Sequence, residues 1–408
     1  MTGNTLLTID KVTLEALRVL HGNLSFLKNC NRDYDAEFAK DGAKIGDTLR
    51  IRKPPKYTVR TGRVMSAQNS TEGFINLPVT NQKGVDLDFT SAEFTLGIDN
   101  FSRRFLKPSM TVLAANIDYD ALSMTLDVAN SVGTPGTTPA TYQVWGDANA
   151  KLDDNLAPRD GERTAILNPA AMTRTVDGLK GLFQAGDAIA DQYRSGVMTR
   201  AIDLKWAIDQ NVRNLTTGTG MATSVSVTGT TVTGATTLAL DYADNALGDT
   251  LTINEGEVFT IGSVFAVNDE TKQSLTTLKQ FVCTATTAAV ASQWLTLPIS
   301  PTIYGPTSAG LQNVDALPAD NAAITFYGTT SSTVYPQNLI FHRDAFTFAT
   351  ADLKLPRNQE MAARKVQDGI SLRIWEGTDI KNDEWPVRSD VLYGYVSTYP
   401  ELACRVWG

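Results

Sequence analysis

The chain has 408 residues, 42% of them apolar and 20% charged, with a net charge of −8. That composition buries a sizeable core over two or three domains of roughly 150 residues, and it excludes a disordered chain, a coiled coil or a low-complexity polymer. The acidic balance excludes sequence-independent nucleic-acid binding by the chain as a whole, and no run approaches the roughly 18 apolar residues of a membrane span.

Residues 9–28 read as an amphipathic helix, with Val12, Ala16, Val19 and Leu20 on one face. Asp10, Lys11, Glu15 and Arg18 interrupt the apolar pattern that a secretory signal needs, so the expectation is a protein made and used without export. From Ile45 to Leu96 the pattern changes to short alternating strands and Gly-marked turns, broken at Pro54-Pro55. Between residues 43 and 64, seven cations (Lys44, Arg50, Arg52, Lys53, Lys56, Arg60, Arg63) meet one acid, Asp47, for a local charge of +6. From 84 to 99, Asp86, Asp88, Glu93 and Asp99 meet no base, giving −4. A long two-stranded arm, basic along one part and acidic near its base, follows from this pattern.

Pro108 suits a first helical turn, where its missing N–H costs nothing. Met110, Leu113, Ala114, Ile117, Ala121, Met124 and Val128 then keep helical spacing, predicting a long helix over 108–130 that stops before Gly133, Pro135 and Gly136. Strand Arg163–Leu167, a turn at Asn168-Pro169, a helix over 170–183 and alternation over 206–215 follow. The composition shifts most sharply over 216–335, where 26 of 120 residues are Thr, and the two bases Lys272 and Lys279 face nine acids. Thr and Val suit pleated, half-buried strands, so this stretch reads as a separate all-β module inserted into a mixed host. GDTLRI (46–51) and GDTLTI (248–253) share a strand entry and do not make a repeat. Past Tyr335 the host pattern returns: a strand then a helix over 338–350, and strands over 370–375, 386–399 and 402–406.

Catalytic patterns are incomplete. Cys30, Cys283 and Cys404 are too scattered for a disulfide framework or a zinc spacing, and they fit a reducing compartment. His21 and His342 are the two histidines, which leaves little room for histidine catalysis. His342-Arg343-Asp344 spells the start of a kinase catalytic loop without its remainder. There is no GxxxxGK[ST], complete GxGxxG, GxSxG or HExxH. The acids Asp241, Asp244 and Asp249 lack the Gly and closing Glu of an EF-hand loop, and read first as a solvated acidic turn. Glu255 and Glu257 would share one strand face, as exposed strand acids commonly do, without the cleft that carboxylate chemistry requires. With Tyr57 alone as a stacking aromatic, the basic arm favours an acidic protein surface over single-stranded nucleic acid.

The order of parts, together with RTAILNP (163–169), YPQNLIFHRDAFTFATADLKLP (335–356) and VRSDVLYGYVSTYPELACRV (387–406), resembles the major capsid proteins of tailed double-stranded-DNA bacteriophages, and within them the short-tailed-phage coat proteins with an inserted β I-domain. The resemblance implies an α+β fold. An N-arm would span 1–45 and an E-loop, the extended two-stranded arm, 46–96. A P-domain with a long spine helix would comprise 97–135 and 366–408, an A-domain 136–215 and 336–365, and a barrel-like I-domain 216–335. It implies assembly without catalysis, cofactor or metal: pentamers and hexamers of an icosahedral shell around double-stranded DNA without sequence-specific contact, built in the host cytoplasm with a scaffolding protein and a portal. It also implies a virion protein with no membrane partner. Some relatives of this kind crosslink through an E-loop Lys; Lys53 and Lys56 lie in that arm, but the I-domain type generally resembles the uncrosslinked members.

Candidate intersubunit residues are Arg50, Arg52, Lys53, Lys56, Arg60 and Arg63 on the arm, with Asp86, Asp88, Glu93 and Asp99 as targets, or Asp118 and Asp120 by the spine helix. Asp241, Asp244 and Asp249 are candidates for reaching a neighbouring capsomer. Two other classes stay open on the residues alone. One is an adhesin-like surface-binding protein whose β module holds a ligand; the other is an enzyme with an inserted β domain.

Overall fold

The computed structural model describes residues 9–22, 24–33, 48–65, 67–68, 72–88, 105–179, 200–220, 224–242, 251–289, 295–356, 362–367, 370–377 and 384–408. The chain divides into two compact units. One is drawn from residues 1–51, 74–121 and 346–398, the other from 52–73, 122–345 and 399–408.

In the first unit, helix Ile9–Gly22 buries Thr13, Ala16, Leu17 and Leu20 and packs on helix Lys107–Ala121 and on strands Ala362–Gln367 and Ile370–Glu376. Helix Lys107–Ala121 turns Met110, Leu113, Ala114, Ile117 and Ala121 inward, the spacing read from the sequence. It ends as an α-helix earlier than the apolar periodicity suggests, and Leu122–Asp127 continues as 3-10 helix. Ala121 is also where the first unit ends. Beyond it, Leu122–Asp127 packs on barrel strand Ser274–Cys283, and Ser123 and Thr125 are residues that compete with regular helical hydrogen bonding.

The sheet of this unit runs Phe346–Ala351, Val387–Ser397, Ile370–Glu376, Ala362–Gln367, all antiparallel, with Asn81–Leu87 also paired to Val387–Ser397. Segment 346–351 is a strand where the sequence suggested a helix. Five of its six residues are buried, so the period-2 alternation that would have marked a strand is absent. Strands Thr48–Lys53 and Gly73–Pro78 pair with each other. Ile51, Leu77 and Val79 close a small core with Ala349. Gly394 permits this packing, because a Cβ there would lie 1.9 Å from the carbonyl oxygen of Pro78.

The second unit is built on a sheet ordered Ser131–Val132, Ala403–Trp407, Val334–His342, Arg163–Leu167, Leu204–Ile208, Arg200–Ala201, with Asn214–Thr216 also paired to Val334–His342. Strands 163–167 and 204–208 run parallel, as do 131–132 and 403–407. Helices Tyr142–Asp154 and Pro169–Leu179 flank it. Trp145 meets Trp206 edge-to-face at 5.1 Å over a core of Leu152, Ile340, Cys404 and Val406.

Within this unit a closed six-stranded barrel rises from the Thr-rich segment. Its order is Ala235–Tyr242, Leu295–Ile303, Ser274–Cys283, Val258–Val267, Ala323–Phe326, Val225–Val227. Closure removes the free edges that such Val- and Thr-rich strands would otherwise expose. Phe259, Phe281 and Phe326 fill its centre. At the barrel root, Trp407, Tyr335 and Leu215 of the sheet pack on Val258 and Val282. There Gln280 mimics a strand partner, accepting from Ser131 N at 2.9 Å and donating to Ser131 O at 2.8 Å.

Candidate assembly interface

The arm follows from period-2 alternation. In strand Thr48–Lys53, Ile51 is buried while Arg50 and Arg52 face outward. Arg50 stacks over the ring of Phe74 at 3.5 Å, and Arg52 Nη1 lies 3.3 Å from Glu72. Lys53 is half-buried over the ring of Tyr399 at 4.7 Å, and burial holds its ammonium below the usual lysine range. Lys56 pairs with Asp269 at 2.7 Å. Burial alone would raise the Asp269 carboxyl, but Lys56 and Lys272 outweigh it and hold it below the ordinary value. Arg60 is exposed and bonds the loop's own carbonyls at Gly62 and Val64. Arg63 is exposed and has no acidic partner among the described residues. Val59, Val64 and Met65 are also exposed beside these two cations.

The acids divide in two. Asp86, at the end of strand Asn81–Leu87, is 71% exposed and 3.9 Å from Arg388, and Asp88 just beyond is exposed. Asp241 is exposed on its barrel strand. Glu93, Asp99, Asp244 and Asp249 lie outside the described residues. Asp118 and Asp120, by contrast, are committed within their own unit. Asp118 is buried and accepts the backbone N–H groups of Ser25, Phe26 and Leu27 at 2.9, 3.1 and 3.0 Å. Asp120 accepts from Lys83 at 2.6 Å and from the Tyr393 hydroxyl at 2.5 Å. A carboxylate so engaged inside its own fold is not an outward-facing target for a neighbour's arm.

Two other sequence expectations change. Glu255 is exposed and Glu257 is buried, so they share no face. Glu257 accepts from Gly218 N at 2.5 Å and Asn254 N at 3.2 Å, and burial raises its carboxyl to about 7. His342-Arg343-Asp344 is a strand end leading into a 3-10 turn, with His342 Nε2 3.1 Å from Asp160.

Sequence reasoning missed two buried guanidinium sites. Arg163 pairs with Asp153 at 2.7 Å and bonds Asn149, Ala157 O and Pro158 O. Arg405 donates to Gly256 O at 2.7 Å, and burial pulls it down to about 9. Arg405 stands between Cys404 and Val406, which was the available signal, whereas Arg163 follows Glu162 and precedes Thr164 and carried none. Among the described residues, no group of three or more His, Cys, Asp or Glu is placed to hold a metal ion, and no helix is long and apolar enough to cross a membrane. What the geometry assembles is charged surface on a structural frame.

The family model described as P22 coat protein, gene protein 5, matches residues 7–406. The chain belongs to the P22 coat protein family. No curated protein sequence matches it. Among solved structures it is similar to a chain of Mycobacterium phage Che8, at 12% identity over 93% of this chain and 89% of that one with a TM-score of 0.48. It is similar to the capsid of Ralstonia phage GP4, at 9% identity over 94% and 91% with a TM-score of 0.43. It is also similar to the CUS-3 coat protein I-domain, at 26% identity over 25% of this chain and 94% of that one with a TM-score of 0.19.

As a coat protein of this family, the chain is a tailed-phage major capsid protein with an I-domain: a structural protein of the virion that self-assembles into a shell, not an enzyme. The expected α+β fold with an inserted β-barrel is the one observed. The adhesin reading finds no support.

Proposed function

We propose that this coat protein forms the pentamers and hexamers of an icosahedral head, assembled in the host cytoplasm around a scaffolding protein and a portal. The shell encloses double-stranded DNA without reading its sequence. Neighbouring subunits recognise one another through charge: Arg50, Arg52, Arg60 and Arg63 of one arm, the outer pair foremost, meet Asp86, Asp88, Glu93 and Asp99 of the next subunit, while Lys53 and Lys56 are held at the arm root by their own chain. Asp241, Asp244 and Asp249 of the I-domain reach a neighbouring capsomer. The observation that carries this reading is the outer part of the arm, where Arg60 and Arg63 are exposed and neither is paired with an acid of its own chain among the described residues.

Each exposed pair contributes only about 0–1 kcal/mol, but repetition over a shell makes such pairs decisive for register and choice of neighbour. The acidic net charge of the chain as a whole disfavours tight binding to packaged DNA. The experiment is sedimentation and negative-stain microscopy of the protein expressed alone and with its scaffold. Closed shells tens of nanometres across are expected, and Arg60→Glu with Arg63→Glu lowers their yield most at low ionic strength, the difference from wild type shrinking as salt screens the contact. A persistent monomer with and without scaffold overturns the reading.

A further inference from the structure

The charged arm is not free along its whole length. Its root, at the end of strand Thr48–Lys53 and just beyond, is held by the same chain through three separate contacts, two of them on barrel loops. Lys56 reaches both carboxylate oxygens of Asp269, at 2.7 and 2.8 Å. Gly310 sits against the Lys56 backbone so closely that a Cβ there would lie 2.9 Å from the Lys56 carbonyl oxygen and 3.5 Å from its Cβ. Lys53 lies over the ring of Tyr399 at 4.7 Å.

The barrel side is a built surface. Asn268 accepts the N–H groups of Glu270 and Thr271, both at 2.9 Å, which fixes the turn that presents Asp269. Lys272 ties that turn to the next loop through Gln312 O at 3.3 Å. Between the two held lysines stands Pro54-Pro55, whose fixed φ angles make the segment a stiff spacer. Two pinned points joined by a stiff spacer define a direction. Charge is complementary as well: the arm segment 43–64 carries +6, and 216–335 carries two bases against nine acids.

We propose that the barrel loops around Asp269 and Gly310 are a docking surface for the arm root, residues Lys53–Lys56, of the same chain, so that the inserted barrel aims the arm before subunits meet. The docking is intrachain and stands independently of assembly; its consequence for assembly rests on the function proposed above. The barrel is then the part that orients the arm, and the outer residues Arg60 and Arg63 are left for a neighbour.

The test uses the isolated full-length subunit. A Cβ separation of 3.5 Å lies within the range a disulfide spans, so Lys56→Cys with Gly310→Cys under mild oxidant forms an intrachain bond, seen as a faster-migrating monomer on a non-reducing gel. The three native cysteines are buried and do not compete. In parallel, hydrogen exchange of the amides over 56–58 is followed in Asp269→Lys and in the charge swap Lys56→Glu with Asp269→Lys. Asp269→Lys speeds exchange about two- to fivefold, the factor for an exposed ion pair of up to about 1 kcal/mol, and the swap restores it. Free thiols at both positions together with unchanged exchange in Asp269→Lys overturn the proposal, as does a disulfide that forms only between chains. Because both readouts come from unassembled protein, failure of the wild type to form shells would count against the proposed function and leave this docking standing.

Discussion

The barrel and the antiparallel sheet of the other unit bury their interiors by opposite means. The barrel centre is hydrocarbon: Phe259, Phe281, Phe326, Ile261, Leu297 and their neighbours. Its Thr-rich sequence supplies β-branched residues without charge, and among the described residues the one buried carboxylate it carries, Glu257, lies at the root. The other unit places ions inside. Asp390 is buried between Arg373 at 2.5 Å and Arg388 at 2.9 Å, and Asp118 ties the chain after the first helix to the long helix. A core of contacts alone folds around whatever packs well, whereas a core with paired ions penalises every arrangement that leaves a charge unmatched. The inserted module therefore has an interior held by apolar fit alone. The unit around the long helix has an interior that fixes one register.

The difference is sharpest where each interior is cut. Phe281→Ala removes a wholly buried ring stacked 5.9 Å from Phe259, and large-to-small changes of this kind cost about 3–5 kcal/mol. Denaturant unfolding of the full chain is expected to show that loss. Asp118→Ala leaves three backbone N–H groups without their carboxylate, two of them buried. At about 1–3 kcal/mol for each buried donor left bare, with some recovered by water, the loss is about 3 kcal/mol. Hydrogen exchange at Ser25, Phe26 and Leu27 reports it directly. If Asp118→Ala proves neutral, the ionic interior of that unit is ornament and the contrast fails.

The two interiors also answer pH with opposite signs. Burial raises Glu257 to about 7, so the folded barrel root holds a proton that the unfolded chain releases near the ordinary carboxylate value. The stability this gives is full below that ordinary value and is lost as pH rises through about 7, by at most about 3 kcal/mol. Glu257→Gln removes this slope and leaves the protein more stable than wild type at pH 8, measured by thermal unfolding between pH 5 and 8. For Asp390, burial raises the carboxyl, but Arg373 and Arg388 outweigh it and hold it below its ordinary value. Its contribution is present above the ordinary value and is lost as pH falls through the depressed one. A wild-type profile with no downward trend between pH 5 and 8 would remove the raised carboxyl from the account.

These particulars show what could be read from residues in order. The barrel was legible as a module because a shift to Thr, the loss of Arg from 214 to 342 and short alternating strands all agree. Strand Arg163–Leu167 was read with the bounds it has. Segment 346–351 was misread because a strand buried on both faces loses its alternation. The charged arm was visible as composition, but which acids are free was not. Asp118 and Asp86 are alike in sequence, and only the fold turns one inward to three amides and leaves the other in solvent. Glu257 and Arg405 were hidden for the same reason: their burial depends on how barrel and sheet meet at Trp407, Tyr335 and Val258.

Asp86→Asn is expected to have the smallest effect, and it separates fold from assembly. Asp86 is 71% exposed and 3.9 Å from Arg388, whose closer partner is Asp390 at 2.9 Å. An exposed carboxylate beyond hydrogen-bond reach of its cation contributes little, so unfolding of the isolated subunit shifts by less than about 0.5 kcal/mol. An acid that its own fold does not need is free to serve a neighbour. If the basic arm of an adjacent subunit meets this strand, Asp86→Asn slows shell growth at low salt, and the difference from wild type disappears at high salt, where screening removes the contribution in both. Equal assembly rates at low salt would move the arm's target away from strand Asn81–Leu87, with the ionic interior beneath it unaffected.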